Sequence, residues 1–318
     1  MSPKPSILLT GKIPSSVVAR LELVGDVDQF RRDGADVIPH DELMARIAGK
    51  QALVSMITDS IDRAVIEAGT ALKVIANAAV GYNNIDVAAA RERGIIVTNT
   101  PGVLTDATAD LTWALILGIT RRIGEGERLI RRGDWRGWTF DFMLGAEIRG
   151  KQLGIVGYGG IGRAVAARGR AFGMRVAYTS RTPKDDPEAE PMPFDRLLAT
   201  SDVVSLHCPL TPETRHLIDQ PALARMKRSA YLINTSRGPV VDEKALAWAL
   251  RMRLIAGAAL DVFEQEPKVE PELLTLENVL LVPHLGSGTV ETRTAMADLA
   301  VRNVAAVLSG QAPLTPVS

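Results

Sequence analysis

An α/β chain of two parallel-sheet domains is predicted by three observations. Short apolar β-type runs alternate with amphipathic helical runs along most of the sequence. A G-x-G-x-x-G joins one such run to a helix at residues 157–162. The chain's 318 residues, 46% of them hydrophobic, are enough for two cores. In the first part, residues 7–9, 52–55, 73–76 and 95–98 read as strands, with helices at 15–23, 41–48, 62–68 and 86–93 between them. Thr105 is a suitable N-cap for a long helical stretch over 106–122, which 124–132 continues and which reads as a bridge between domains. Residues 133–143 have no period and hold two of the four tryptophans, so they read as a loop whose rings cover a core or meet another subunit. Strands recur at 174–179, 203–206, 231–234, 256–260 and 279–282, with a helix at 242–252 and a last amphipathic helix over 289–308. Because the glycine motif sits mid-chain, the first domain is expected to be discontinuous. It takes residues 1–100 plus 289–318 around a second domain of 101–288.

Each glycine of the motif has a task in a nucleotide-binding βαβ unit. Gly157 makes the tight turn, Gly159 lets backbone approach a pyrophosphate, and Gly162 lets the helix pack on the strand. The helix N-terminus then faces the phosphates. An apolar strand before the motif and Ile161, Val165, Ala166 and Phe172 on the helix after it supply the context that a bare glycine pattern lacks. The second domain is therefore expected to be of Rossmann type and the first flavodoxin-like. An NAD-binding chain carries an acidic residue at the end of the next strand for the ribose hydroxyls. This chain has Ser180-Arg181-Thr182 there. A guanidinium between two hydroxyls suits a 2′-phosphate, so NADP is the expected cofactor, with NAD as the lesser one.

Composition narrows the remaining classes. Lys plus Arg and Asp plus Glu both number 37, so nothing steers the chain to nucleic acid or to an anionic membrane. The longest apolar run, 111–120, is too short to span a bilayer. Ser6 enters a strand almost at once and leaves no room for a signal peptide, so a soluble, cytoplasmic chain is expected. Cys208 is the single cysteine and excludes an intrachain disulfide. It adjoins His207 with no ligand cluster around the pair, so no metal is expected.

Ligands of an open α/β sheet bind beyond the carboxyl ends of its strands. Thr235-Ser236-Arg237-Gly238 follows one strand, Asp261 to Pro267 the next, and Pro283-His284-Leu285-Gly286-Ser287 the third. Carbonyl reduction needs a proton donor, for which His284 is suited; a nearby Glu favours its imidazolium, and Arg237 can grip a carboxylate and polarise the adjacent carbonyl. Each residue also has an ordinary structural role: Arg237 in a Gly-Pro turn, Asp261 and Glu266 as caps, His284 as a buried histidine. Their placement after three successive strands favours chemistry. His40 and His216 read as surface residues, and His207 as lining the cofactor cleft.

With these residues the chain resembles the D-specific 2-hydroxyacid dehydrogenases, and within them the glyoxylate/hydroxypyruvate reductases. The likeness rests on 77–86, 99–110, the 157–162 turn, Ser180-Arg181-Thr182, 234–238, 260–267 and 283–287. It implies Arg237 as the carboxylate-binding and catalytic arginine, Glu266 as partner of the histidine, and His284 as proton donor. It further implies Asp261 near the nicotinamide amide and the backbone of Val80 and Gly81 on the substrate carboxylate. The cofactor contacts it implies are Thr108, Tyr158, Gly159, Gly160, Ile161, Ser180, Arg181, Thr182, Pro209, Thr235, Arg237, Asp261, His284 and Gly286. A homodimer through the nucleotide-binding domains follows from the same likeness, with Trp138 reaching toward the neighbouring subunit's pocket.

Related activities fit less well. Phosphite dehydrogenases carry a lysine where Val80 stands, and phosphoglycerate dehydrogenases carry an acidic residue in place of Ser180. Corepressors on this fold keep the Arg, Glu and His set, so a nucleotide-sensing scaffold is the alternative reading; such proteins have long tails, and this chain has almost none. Glyoxylate, hydroxypyruvate and 2-ketogluconate offer the same carboxylate and carbonyl, and the residues do not choose among them.

Overall fold

A computed structural model describes residues 3–31 and 37–317. The chain divides into two compact units, Met1–Leu104 with Gly288–Ser318, and Thr105–Ser287.

The first unit is a five-stranded parallel sheet of β1 (Ser6–Leu9), β2 (Asp26–Gln29), β3 (Ala52–Ser55), β4 (Val74–Asn77) and β5 (Ile96–Thr98), in the order β2-β1-β3-β4-β5. This is the flavodoxin-like order. Alternate side chains leave opposite faces: Leu8, Leu53, Ile75 and Val97 join one apolar cluster, and Ile7, Leu9, Val54 and Ala76 join the other. The second cluster is completed by Ala297, Ala300, Val301 and Val304 of the terminal helix Val290–Leu308. Thr289 caps that helix by accepting from the Thr292 N–H at 3.1 Å. Buried Asn303 then accepts from the N–H groups of Leu314 and Thr315, tying down the tail.

The second unit is a seven-stranded parallel sheet of β6 (Gln152–Val156), β7 (Arg175–Thr179), β8 (Glu190–Pro191), β9 (Val203–Leu206), β10 (Tyr231–Asn234), β11 (Gly257–Leu260) and β12 (Val279–Leu281). Its order, β12-β11-β10-β9-β6-β7-β8, reverses between β6 and β9. That reversal is the switch point at which doubly wound sheets bind ligands. The long helix Thr105–Thr120 is not a bridge between domains. It buries Ala109, Trp113, Leu115, Ile116 and Ile119 in this unit's core, and the Trp113 indole N–H donates to the Val165 carbonyl of the neighbouring helix Gly160–Ala171.

Candidate active site

The glycine turn separates into parts set by packing and a part that packing leaves unexplained. Gly157 has φ +95°, and a Cβ there would lie 2.6 Å from the His207 carbonyl carbon and the Cys208 nitrogen. At Gly162 a Cβ would collide with the Gly157 carbonyl. Gly159, the N-cap of Gly160–Ala171, is different: a Cβ would meet nothing within 4 Å. The protein's own packing does not require glycine at 159, whereas a pyrophosphate approaching the backbone there does. The residues therefore fit a dinucleotide. Gly159 and Gly160 are exposed and Ile161 is half-buried at the helix start.

Tyr158 departs from expectation. Its ring is 1% exposed, stacks on Tyr178 at 4.1 Å, and donates its hydroxyl to Asp186 at 2.6 Å. Burial, then the Asp186 carboxylate, pushes its phenol up to about 12. The side chain is thus a core residue, and only its backbone remains for a cofactor. Beyond β7, Ser180 donates to the Thr182 carbonyl at 2.6 Å, while Arg181 and Thr182 are exposed. Pro209 is also exposed.

Three strand ends assemble the titratable set. After β10, buried Asn234 shapes the turn: its amide donates to the Arg237 carbonyl at 2.9 Å, and its oxygen accepts from the Ser236 N–H and hydroxyl. Arg237 is partly buried and donates to the Ser236 carbonyl at 2.7 Å. Burial pushes its guanidinium down from its ordinary value, against the charge of Glu266. After β11, one Glu266 oxygen accepts from the Phe263 N–H at 3.0 Å, and the other lies 2.8 Å from His284 Nδ1. Burial pushes this carboxyl up. The hydrogen bond and charge of His284, the Phe263 amide and the charge of Arg237 outweigh it and hold Glu266 below its ordinary value.

His284 itself has φ +53°, a left-handed backbone that β-carbon residues rarely adopt. Asp261 explains how it is held. Its carboxylate, 1% exposed, accepts from the N–H groups of Leu285 and Gly286 at 2.5 and 2.9 Å, and its carbonyl accepts from the His284 N–H at 2.9 Å. Asp261 braces the histidine turn with its side chain. Gly286 lies tight against it: a Cβ would be 3.1 Å from Asp261 Oδ2 and 3.5 Å from Thr108 Oγ1. Thr108 donates to the Gly286 carbonyl, and Thr112, one turn on, bonds both the Thr108 carbonyl and the Thr235 hydroxyl. Four of the expected cofactor residues, Thr108, Thr235, Asp261 and Gly286, thus belong to one framework under Arg237 and His284.

In the first unit, Val80 and Gly81 follow β4. The carbonyls of Ala79, Val80 and Gly81 accept from the Thr100 N–H, the Asn99 amide and the Asn77 amide at 2.9, 2.7 and 2.9 Å. In a trans peptide the N–H points opposite to the carbonyl. The N–H groups of Val80, Gly81 and Tyr82 are therefore each turned away from the partner of the adjoining carbonyl.

The remaining histidines do other work. The His207 ring is partly buried, bonds Ser205 at 2.8 Å, and is pushed down to about 3 by desolvation. His40 lies 3.0 Å from Asp62, and His216 lies 3.1 Å from Glu264. Sequence reasoning overlooked Asn234 and Thr112. Asn234 carried a signal, an amide at a strand end just before the Ser236-Arg237-Gly238 turn it shapes.

Strand ends that gather a histidine–carboxylate pair beside an arginine, on the same sheet as a glycine turn open to a pyrophosphate, define a dinucleotide-dependent enzyme. The model of the D-isomer specific 2-hydroxyacid dehydrogenase NAD binding domain matches residues 113–286. A glyoxylate reductase of Thermococcus litoralis is 46% identical over 318 residues, covering 98% of this chain and 96% of that protein. A solved protein of Thermus thermophilus superposes with TM-score 0.92 at 45% identity over 98% of this chain and 100% of that one. An NADPH-dependent glyoxylate/hydroxypyruvate reductase of Sinorhizobium meliloti, solved with NADP and malonate, gives 0.88 at 36% identity over 99% and 97%. The chain belongs to the D-isomer specific 2-hydroxyacid dehydrogenase family and is an NAD(P)-dependent oxidoreductase.

Proposed function

We propose that the protein reduces small 2-keto acids to D-2-hydroxy acids with NADPH as preferred donor. Glyoxylate and hydroxypyruvate are the first candidate substrates and 2-ketogluconate a bulkier one. The observation that carries this reading is the 2.8 Å pairing of His284 Nδ1 with Glu266, on the strand end next to that of Arg237. When bound, the reduced nicotinamide supplies the hydride. The chain's own residues do the rest. With Nδ1 turned to Glu266, Nε2 is the nitrogen left to deliver a proton to the developing alkoxide. Arg237 holds the substrate carboxylate and polarises the neighbouring carbonyl. We assign the N–H groups of Val80 and Gly81 to a substrate carboxylate, the Asp261 brace to positioning His284, and the Thr108, Tyr158 to Ile161, Pro209, Thr235 and Gly286 backbone or side chains to the cofactor.

Support for NADPH comes from exposed Arg181 with Ser180 and Thr182 at the end of β7, where Ser180 stands in place of an acidic residue that would repel a 2′-phosphate. The malonate-bound, NADP-bound relative fits the same reading. A panel of the three keto acids against NADPH and NADH tests it. Turnover with NADPH and glyoxylate or hydroxypyruvate is expected. Tight NADPH binding without turnover of any keto acid would favour the scaffold reading instead.

The assembly we propose is a homodimer joined through the arm that follows the helix Thr105–Thr120. Its helix Ile123–Arg132 buries no residue, Trp138 is 76% exposed and Phe140 86% exposed. Ile123, Ile130, Trp135 and Leu144 add to this apolar surface, which suits a second copy better than water.

A further inference from the structure

The loop that carries Glu266 is held by a second carboxylate that takes no part in proton transfer. Glu243 opens the helix Glu243–Arg251 and would ordinarily be read as a solvent-facing acid complementing the helix dipole. It is 5% exposed instead. One of its oxygens accepts from the Glu264 N–H at 2.6 Å and the other from the Glu270 N–H at 3.2 Å, so it staples both arms of the loop whose middle holds Glu266. The clasp is reciprocal, since the Glu243 N–H donates to the Glu264 carboxylate at 3.0 Å. Glu243 lies on the segment that leaves Arg237 through Gly238, and a Cβ on Gly238 would collide with the Phe263 carbonyl and the Glu264 nitrogen. The backbone after Arg237 and the backbone before Glu266 are thus packed directly together.

This arrangement is costly. Burial, and beyond it the like charges of Glu264 and Glu270, push the Glu243 carboxyl above its ordinary value against the pull of the two amides. A buried carboxylate kept beside two others stabilises a geometry better than it stabilises a fold.

We propose that Glu243 is a positioning residue, which through its clasp with Glu264 fixes the 263–270 loop so that Glu266 presents an oxygen to His284 Nδ1. The inference rests on the histidine–glutamate reading above. The charged groups involved are His284, Arg237 and Asp261 around Glu266, Glu270 with Glu264 around Glu243, and His216 at 3.1 Å from Glu264.

The test is the pH profile of keto-acid reduction in full-length Glu243→Ala, Glu264→Ala and Glu266→Gln, and in Glu243→Ala combined with Glu266→Gln. Folding is checked by thermal melting, and the titration of the His284 ring resonances is followed without cofactor. The expected result for both alanine variants is a fall in kcat of about tenfold with the cofactor KM within about twofold. The alkaline decline of rate and the ring titration should both move to lower pH by about half a unit or more. Adding Glu243→Ala to Glu266→Gln should move them no further, because both act on one interaction. If Glu266→Gln shifts the decline and the two alanine variants leave it in place, the clasp is refuted while the pair stands. An unshifted decline in Glu266→Gln refutes the pair and the clasp with it. Should Glu243→Ala fail to fold, Glu243→Gln, which keeps only one of the two acceptor oxygens and so loses one of the two amide bonds, decides by the same shift.

Discussion

Arg237 is held by its own turn, with Asn234 bonded to its carbonyl and Ser236 to its guanidinium. Arg237→Ala is expected to lower kcat/KM for a 2-keto acid at least about 100-fold, and Arg237→Lys to rescue little, because an ammonium lacks the fork. Steady-state kinetics that match the unmodified protein would remove it from the site. Glu266 has its pairing on the other side of a sign. Its folded value is depressed, so the stabilisation it gains from His284 is present above the ordinary glutamate value of about 4.3 and is lost as pH falls through the folded value. At Arg181 the expected outcome is cofactor choice: Arg181→Ala should raise the NADPH KM about tenfold and leave that for NADH nearly unchanged. Equal losses for both cofactors would show that the 2′-phosphate is read elsewhere.

Among the elements, the β6 turn gives the sharpest contrast, since its glycines look alike in sequence and are required for different reasons. Gly157→Ala forces a side chain into a φ of +95° against the His207 carbonyl, and should destabilise the protein by about 2 kcal/mol or more. Gly159→Ala meets open space. It should melt like the unmodified protein yet bind NADPH about tenfold or more weakly. Thermal melts and cofactor titration of both variants check the pair of outcomes, and a Gly159→Ala that binds normally would take the pyrophosphate away from this turn. The turn after β12 shows the same logic from the other side. There a non-glycine residue, His284, occupies the left-handed region, and three hydrogen bonds to Asp261 hold it and its two successors.

For the whole molecule the question is the exposed arm. Ile123, Ile130, Trp135, Trp138, Phe140 and Leu144 are large apolar side chains along one stretch, and none is buried within the chain. The loop rings do not cover a core, which was one of the two roles their composition allowed. Sedimentation is expected to find two copies associated. Changing Trp138 and Phe140 together to serine should raise the dissociation constant at least about tenfold. A monomeric unmodified protein would rule out this surface as a subunit contact.

The sequence by itself determined whatever depends on local period and local backbone need. Apolar runs located ten of the twelve strands among the described residues within a residue or two, and the 157–162 spacing located the glycine turn after β6. Strand order was decided elsewhere. β2, Asp-Val-Asp-Gln, and β8, Glu-Pro, are polar edge strands that carry no apolar signal and form because β1 and β7 offer them free edges. Tertiary packing also turned Tyr158 into a core residue and Asp261 into a brace. It brought Glu243 onto the Glu264 loop 21 residues further along the chain. Period reports which face of an element is apolar, but it says nothing of which other strand end will lie beside it. Pairs such as Glu266 with His284 are fixed only when β10, β11 and β12 stack in register and their carboxyl ends meet.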